Sequence, residues 1–257
     1  MPFIPLDPRS MSDTANEYLS SLRPSVVVVQ DDAGMTSLSN SQSVLADTKV
    51  LLCCTTSPSD LWTSLSTLSA NEIPAAKPFS CRETDGKDIA LIIFTSGTTS
   101  TPKGCLHTAT NIWSESSDFD PDHPGVVPVQ RWLVQTPVSH IFAINNCLRS
   151  FRYGGVIYFP SKTFDIYASV KTIEEHKCTR LSAVPTLVQG ILSVKEYPTK
   201  DKVALHYIAL AGTLIKDEDV KMCKKLGSDF VVQIYGMSEG APVTSWSRDD
   251  PLFADGQ

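Results

Sequence analysis

Leu91-Ile92-Ile93-Phe94-Thr95-Ser96-Gly97-Thr98-Thr99-Ser100-Thr101-Pro102-Lys103-Gly104 decides the reading of this 257-residue chain. An apolar, β-branched run passes directly into small hydroxyl residues, two glycines and one lysine. The run has the composition of a buried strand. The segment after it has the chemistry of an anion cradle. Gly97 and Gly104 permit unusual backbone angles and close backbone approach. Backbone N–H groups and the hydroxyls of Thr95, Ser96, Thr98 and Thr99 can surround a phosphate. Lys103 supplies a compact positive charge. The string differs from the G-x-x-x-x-G-K-[ST] loop, in which lysine directly follows the second glycine and a helix opens there. Here Pro102 precedes Lys103 and Gly104 follows it.

Outward from this loop, short β-branched runs alternate with amphipathic segments. Residues 26–29, 50–54, 90–94, 156–159, 181–184, 208–210 and 230–234 read as buried strands. Residues 165–176 carry Ile166, Val170 and Ile173 on one helical face. Residues 186–194 follow Pro185, which suits a helix start, and residues 216–226 stop at Gly227. From residue 155 onward the order is strand, helix, strand, helix, strand, helix, strand. Such alternation predicts an α/β fold with mostly parallel sheets flanked by helices. Residues 69–88 and 117–128 read as polar, proline-bearing loops without the composition of an interdomain linker.

Apolar residues make up 42% of the chain and charged residues 19%, the balance of a folded protein. A net charge of −6 argues against sequence-independent nucleic-acid binding. No apolar run reaches bilayer-spanning length, and no basic-then-apolar leader is visible, so no membrane span and a cytoplasmic location are expected. The seven cysteines (Cys53, Cys54, Cys81, Cys105, Cys147, Cys178 and Cys223) form no C-x-x-C pair. Reduced, largely buried thiols are expected, not structural zinc or a catalytic cysteine.

The string from Thr95 to Gly104 resembles the signature loop of the adenylate-forming superfamily. That group holds acyl- and aryl-CoA synthetases, the adenylation domains of nonribosomal peptide synthetases, and beetle luciferases. Further segments resemble the family's motifs in the same order. Phe3-Ile4-Pro5-Leu6-Asp7-Pro8 is similar to an early strand-and-turn segment, and Pro137-Val138-Ser139-His140-Ile141-Phe142 to a strand-to-helix junction with a histidine. Ala183-Val184-Pro185-Thr186-Leu187 resembles a V-P-x-L element, and Ala211-Gly212-Thr213-Leu214-Ile215 a G-G-A-P-L segment. Gln233-Ile234-Tyr235-Gly236-Met237-Ser238-Glu239 resembles the Y-G-x-T-E motif.

The resemblance implies part of the large N-terminal domain of such an enzyme, with residues 1–257 as a partial AMP-binding domain. It implies ATP and Mg²⁺ as cofactors and a small-molecule carboxylic acid as substrate. The family's first reaction joins that carboxylate to the α-phosphate of ATP and expels pyrophosphate. A carboxylate is already a nucleophile at neutral pH, so the difficulty is bringing one anion against another. Catalysis then rests on positioning and on neutralising charge. By resemblance, Thr95, Ser96, Gly97, Thr98, Thr99 and Lys103 hold phosphates, and Glu239 binds Mg²⁺. Ser238 donates a hydroxyl to the α-phosphate, while Tyr235, beside Gly236, offers adenine a flat face and Gln233 an amide for its edge. Ala211, Gly212 and Thr213 line the adenine and acyl pocket, and His140 contacts the carboxylate. His107, His123, His176 and His206 read as structural or surface residues.

Amino-acid-activating domains place an aspartate just after the junction, as partner for the substrate ammonium. Here the positions read His140-Ile141-Phe142-Ala143, which favours an aryl, aliphatic or hydroxy acid. Pro5-Leu6-Asp7-Pro8 is similar to the opening of peptide-synthetase domains and keeps an amino acid open. No Y-x-T-G-D or G-R-x-x-x-x-I-K string occurs, so the ribose-binding aspartate, the hinge and the small C-terminal domain with its lysine are expected to be absent. CoA or carrier-protein phosphopantetheine is implied only for the intact family enzyme, and the remainder of a longer polypeptide is an expected partner. Weak activity of this chain alone is expected, and a nucleotide-binding chain without turnover stays open beside the ligase reading.

Overall fold

The computed structural model describes residues 2–7, 11–39, 45, 47–55, 60–70, 85–95, 103–117, 129–195, 197–198, 202–228 and 230–247. The chain divides into two compact units, residues 6–83 and residues 1–5 with 84–257. In the first, β1 (Val26–Val29), β2 (Val50–Cys53) and β3 (Thr63–Ser64) form a parallel sheet in that order. Helices α1 (Met11–Leu22), α2 (Asp32–Ser39) and α3 (Leu65–Ala70) belong to the same unit. Its core gathers Leu19 from α1, Met35 and Leu38 from α2, and Val29, Cys53 and Trp62 from the sheet side.

The second unit carries every candidate site residue. β4 (Ile89–Phe94) and β5 (Gly104–Thr108) form an antiparallel hairpin, and Phe3 bridges to Leu91 in parallel. Six further strands complete the set: β6 (Arg131–Val134), β7 (Val156–Tyr158), β8 (Arg180–Ala183), β9 (Tyr207–Leu210), β10 (Phe230–Met237) and β11 (Gly240–Ser247). They make one sheet in the order β11-β10-β9-β8-β6-β7, parallel throughout except for β11. The helices of this unit are α4 (Ala109–Glu115), α5 (Ile141–Arg152), α6 (Ile166–Glu175), α7 (Pro185–Leu192) and α8 (Asp217–Lys225). The chain therefore adopts the α/β class with mostly parallel sheets that the alternation predicts.

Local chemistry sets the helix ends. The Asp165 carboxylate accepts from the Ala168 N–H at 2.9 Å and caps α6. Pro185 opens α7, where its missing N–H costs nothing. Asp217, Glu218 and Asp219 sit in the first turn of α8 and Lys224 and Lys225 in its last, each complementing the helix dipole. Gly227 takes φ +105 just past that helix, a left-handed stop that a side chain would resist.

The layers are set by where the apolar faces point. Val170 and Ile173 of α6, Val188 and Ile191 of α7 and Cys223 of α8 pack with Leu133, Leu181 and Ile208 on one face of the sheet. Helix α5 covers the other face, setting Ala143 and Cys147 against Trp132 and Val134. Its Ile141 and Ile144 pack at the same time against Leu91 and Ile93 of the hairpin. No helix among the described residues is long and apolar enough to cross a membrane.

Several elements lie outside the expected set or differ in extent. Strand β8 ends at Ala183, so Val184 caps α7, and β10 runs on to Met237 beyond the expected end at 234. The elements read from the hydrophobic pattern include neither helix α5 nor strands β5, β6 and β11, although the resemblance of residues 137–142 to a strand-to-helix junction implies a strand before His140 and a helix after it. Strand β6 lies between β7 and β8, so the chain leaves it on one side and returns on the other. Such a reversal opens a crevice at the carboxyl ends of the parallel strands, the usual place for a ligand in an open α/β sheet.

The entry into β7 is the tightest joint on that sheet. A Cβ on Gly155 would stand 2.5 Å from Ser150 Oγ and 2.7 Å from the Gln130 carbonyl oxygen. Gly155→Ala is expected to destabilise the second unit by about 2 kcal/mol. Denaturant unfolding measures this; an unchanged midpoint would show that the β6–β7 connection gives way freely.

Candidate active site

The hydroxyl-rich string sits between the two strands of the β4–β5 hairpin. Thr95 N–H donates to the Lys103 carbonyl at 2.9 Å, directly beyond the Phe94–Gly104 pair. Ser96, Gly97, Thr98 and Thr99 fall among residues 96–102, outside the described residues. A strand, not a helix, opens at Gly104, as the departure from the G-x-x-x-x-G-K-[ST] pattern requires. Gly104 sits close to its partner strand, where a Cβ would stand 3.2 Å from Ile92 Cγ2.

Successive side chains on a strand point to opposite faces. Lys103, Cys105 and His107 therefore share one side of β5, and Gly104 and Leu106 the other. Burial obeys that alternation: Leu106 is exposed, Cys105 half-buried and His107 buried, while Lys103 at the open end is exposed.

This face of β5 meets the turn between β10 and β11. The Met237–Gly240 pair closes that turn, and Ser238 and Glu239 form its tip. The His107 Nε2 lies 2.7 Å from the Ser238 carbonyl oxygen. Since a carbonyl oxygen only accepts, Nε2–H is the donor. One step nearer the loop, burial first and the Glu239 carboxylate second push the Cys105 thiol pKa up from its ordinary value. Strand β5 and a carboxylate-bearing turn, far apart in sequence, thus come together.

Behind the tip, Gln233 is buried, at 9% exposure, and its Oε1 has no hydrogen-bond partner. It is not the surface amide that a strand-end position allows. Tyr235 on the same strand is 56% exposed, and Gly236 follows it. Neighbouring strand ends bring the remaining candidates. Ala211, Gly212 and Thr213 follow β9, with Ala211 buried and the other two exposed. Gly212 takes φ +87, and a Cβ there would stand 3.1 Å from Val184 Cγ1. Here glycine is needed both for the angle and for the approach to the V-P-x-L element. His140, after β6, is exposed with extended backbone, and its side chain makes no capping bond to α5.

Three residues outside the candidate set complete the local structure: His107, Glu115 and Asn145. Glu115 Oε1 lies 3.8 Å from His107 Nδ1, and Asn145 Nδ2 donates to Glu115 Oε2 at 3.4 Å. The even spacing 103, 105, 107 behind the loop was the sequence signal for His107. Glu115 and Asn145 left none. The described cysteines are all free, with Cys81 outside the described residues. Burial pushes Cys147 up to about 11 and Cys178 and Cys223 up to about 12, so these thiols stay protonated at neutral pH. Among the described residues no group of three or more His, Cys, Asp and Glu could hold a metal ion.

A model of the family described as AMP-binding enzyme matches residues 1–256. The long-chain-fatty-acid–CoA ligase of Salmonella typhimurium is 29% identical over 177 residues, 68% of this chain and 32% of that protein. The 2-succinylbenzoate–CoA ligase of Bacillus pumilus is 31% identical over 156 residues, 60% of this chain and 31% of that protein. Among solved structures, the luciferase-like enzyme from the nonluminescent Zophobas morio mealworm superposes with a TM-score of 0.79 at 19% identity, covering 99% of this chain and 58% of that one. The chain spans about a third of the length of the curated relatives it matches.

The influence of the Glu239 charge on Cys105 has a chemical readout. Both burial and the Glu239 charge disfavour the thiolate, so removing that charge lowers the thiol pKa and raises the thiolate fraction at a given pH. Glu239→Gln is expected to speed alkylation of Cys105 by iodoacetamide at mildly alkaline pH, followed by mass spectrometry. An unchanged rate would separate the turn from β5.

Proposed function

The chain belongs to the AMP-binding enzyme family, and on that premise we propose that it carries the phosphate and magnesium side of a site that activates a carboxylic acid with ATP. One observation carries this reading: strand β5, which Lys103 precedes, is bonded to the Ser238–Glu239 turn through His107, and the Glu239 charge is felt at Cys105 on the same strand. A lysine at the open end of that strand and a carboxylate on that turn supply the charges that a triphosphate with a divalent cation needs.

The chemistry asks little acid–base help. One carboxylate oxygen of the acid bonds to the α-phosphorus of ATP. The bond from that phosphorus to the bridging oxygen breaks, and its electron pair leaves with pyrophosphate. No proton moves, so the protein's task is to hold anions together. Lys103 and the 95–99 segment neutralise phosphate charge, and the Ser238 hydroxyl donates to the α-phosphate. Glu239 is an exposed, single carboxylate, which suits Mg²⁺ because that ion takes one or two protein carboxylates and fills its shell with phosphate oxygens and water. When bound, the ion neutralises phosphate charge. The unpaired buried Oε1 of Gln233 can accept from the adenine amino group, Tyr235 and Gly236 offer the ring a face, and Ala211, Gly212 and Thr213 border it. His140 meets the carboxylate.

The acid lacks an α-ammonium group. The side chains after His140 are Ile141, Phe142 and Ala143, with no anion to pair it. The relatives are named for a long-chain fatty acid and for 2-succinylbenzoate, one aliphatic and one aryl acid, and both are CoA ligases. CoA is the acceptor thiol of this reading.

Acid-dependent exchange of pyrophosphate into ATP tests the proposal. Exchange is expected with an aliphatic or aryl acid, and Lys103→Ala or Glu239→Gln should each lower it about 100-fold. Exchange untouched by both variants would overturn the assignment. MgATP binding without exchange on any acid would favour a nucleotide-binding chain without turnover.

A further inference from the structure

His107 does more than fill space. It is 1% exposed, yet it is polar and lies among the strands of a hairpin whose other buried residues, Leu91, Ile92 and Ile93, are apolar. Burying an imidazole there is costly unless its nitrogens find partners. The hydrogen-bond partner it finds lies on another element, and a carboxylate stands near its other nitrogen. Nε2–H donates to the Ser238 carbonyl at 2.7 Å, across 131 residues of sequence. Nδ1 faces Glu115 Oε1 of α4 at 3.8 Å. Glu115, 13% exposed, accepts from Asn145 of α5 through its second oxygen. The same Oε1 lies 3.8 Å from the point a Cβ on Gly240 would occupy, on the far side of the turn. Four elements thus converge behind the tip that carries Ser238 and Glu239.

We propose that His107, through its Nε2–H, is a positioning residue that locks the Ser238–Glu239 turn at a fixed distance from the Lys103 strand. The proposal rests on the nucleotide-binding reading of that turn. The tip lies beyond the last ladder pair, Met237–Gly240, and the backbone carbonyl of Ser238 is the atom that His107 grips. Fixing that peptide fixes the directions in which the Ser238 hydroxyl and the Glu239 carboxylate leave the chain. His107 touches neither nucleotide nor metal, and its effect travels through one backbone hydrogen bond.

Two variants separate positioning from packing. His107→Leu fills the volume but cannot donate, and His107→Gln presents an amide N–H in place of Nε2–H. In His107→Leu, hydrogen exchange of residues 236–241 should quicken roughly tenfold while residues 91–93 keep the wild-type rate. Calorimetric titration with ATP, with and without Mg²⁺, supplies the second readout. The extra affinity that Mg²⁺ confers should fall about tenfold in His107→Leu with the affinity for ATP alone unchanged, and His107→Gln should restore both signals. Unchanged exchange at the turn overturns the proposal. So does equal quickening at 91–93 with ATP affinity lost whether or not Mg²⁺ is present, the pattern of general loosening. If wild-type chain and Lys103→Ala bind ATP equally poorly, the nucleotide reading fails, and the exchange contrast alone still decides whether His107 holds the turn.

Discussion

Helix α5 is buried on two sides at once, and the site depends on that double packing. Ile141 and Ile144 meet Leu91 and Ile93 of the hairpin, while Ala143 and Cys147 meet Trp132 and Val134 of the sheet. Each buried isoleucine contributes roughly 1.5–3 kcal/mol, so the hairpin is clamped and not merely tethered. The clamp sets where β5 runs. Strand β5 in turn sets where Lys103 and His107 stand. Remove the helix and the two halves of the candidate site, one on the hairpin and one on the sheet, lose their common reference. Two polar groups inside the sandwich obey the same logic. Asn146 donates to the Phe142 carbonyl at 2.8 Å, and Trp132 Nε1–H donates to Gln130 Oε1 at 2.9 Å, so neither burial leaves a donor stranded.

The sheet supplies the other half through geometry that needs no special residue. Parallel strands all end on the same edge, so His140 after β6, Val184 after β8 and Ala211 to Thr213 after β9 are neighbours whatever their distance in sequence. β10 breaks the pattern by running past that edge and folding back as β11. The overrun lifts Tyr235 into solvent and carries Ser238 and Glu239 to the hairpin. The return strand pairs the overrun on one side only, because β9 ends opposite Gln233 and the residues beyond it are laddered to β11 alone.

Much of the fold was legible because burial writes itself into composition. The valine run at 26–29 and the isoleucines of 89–94 could hardly be anything but strands, and Asp165, Pro185 and Gly227 marked helix ends by chemistry that acts locally. What stayed hidden was decided by contacts that a window of sequence does not contain. In helix α5, Ile141, Ile144, Leu148 and Phe151 recur at helical spacing, but nothing local marks the opposite side, with Asn145, Asn146 and Arg149, as buried too. Strand β5 reads Gly-Cys-Leu-His-Thr, with a histidine where an apolar residue would have announced a buried face. Strand β11 contains Gly240 and Pro242, which argue against a strand until an edge position explains them. The site divided in the same way. Lys103 and Glu239 were named by the strings around them. His107 reads as structural or surface from its own surroundings in the chain, because its partner lies 131 residues away.

The bond from Thr95 N–H to the Lys103 carbonyl carries an evolutionary consequence. It fixes the two ends of the hydroxyl-rich segment whatever lies between them, so lengthening that segment by a residue costs only a logarithmic increment of closure entropy. The strand after it has no such latitude. A single residue gained or lost between Lys103 and His107 would send one of them to the opposite side of β5, because side chains there alternate with a period of two. As far as closure of the hairpin goes, drift in loop length is therefore cheap, so the length of this segment answers to the anion it holds, whereas drift in strand phase is ruinous to the fold itself.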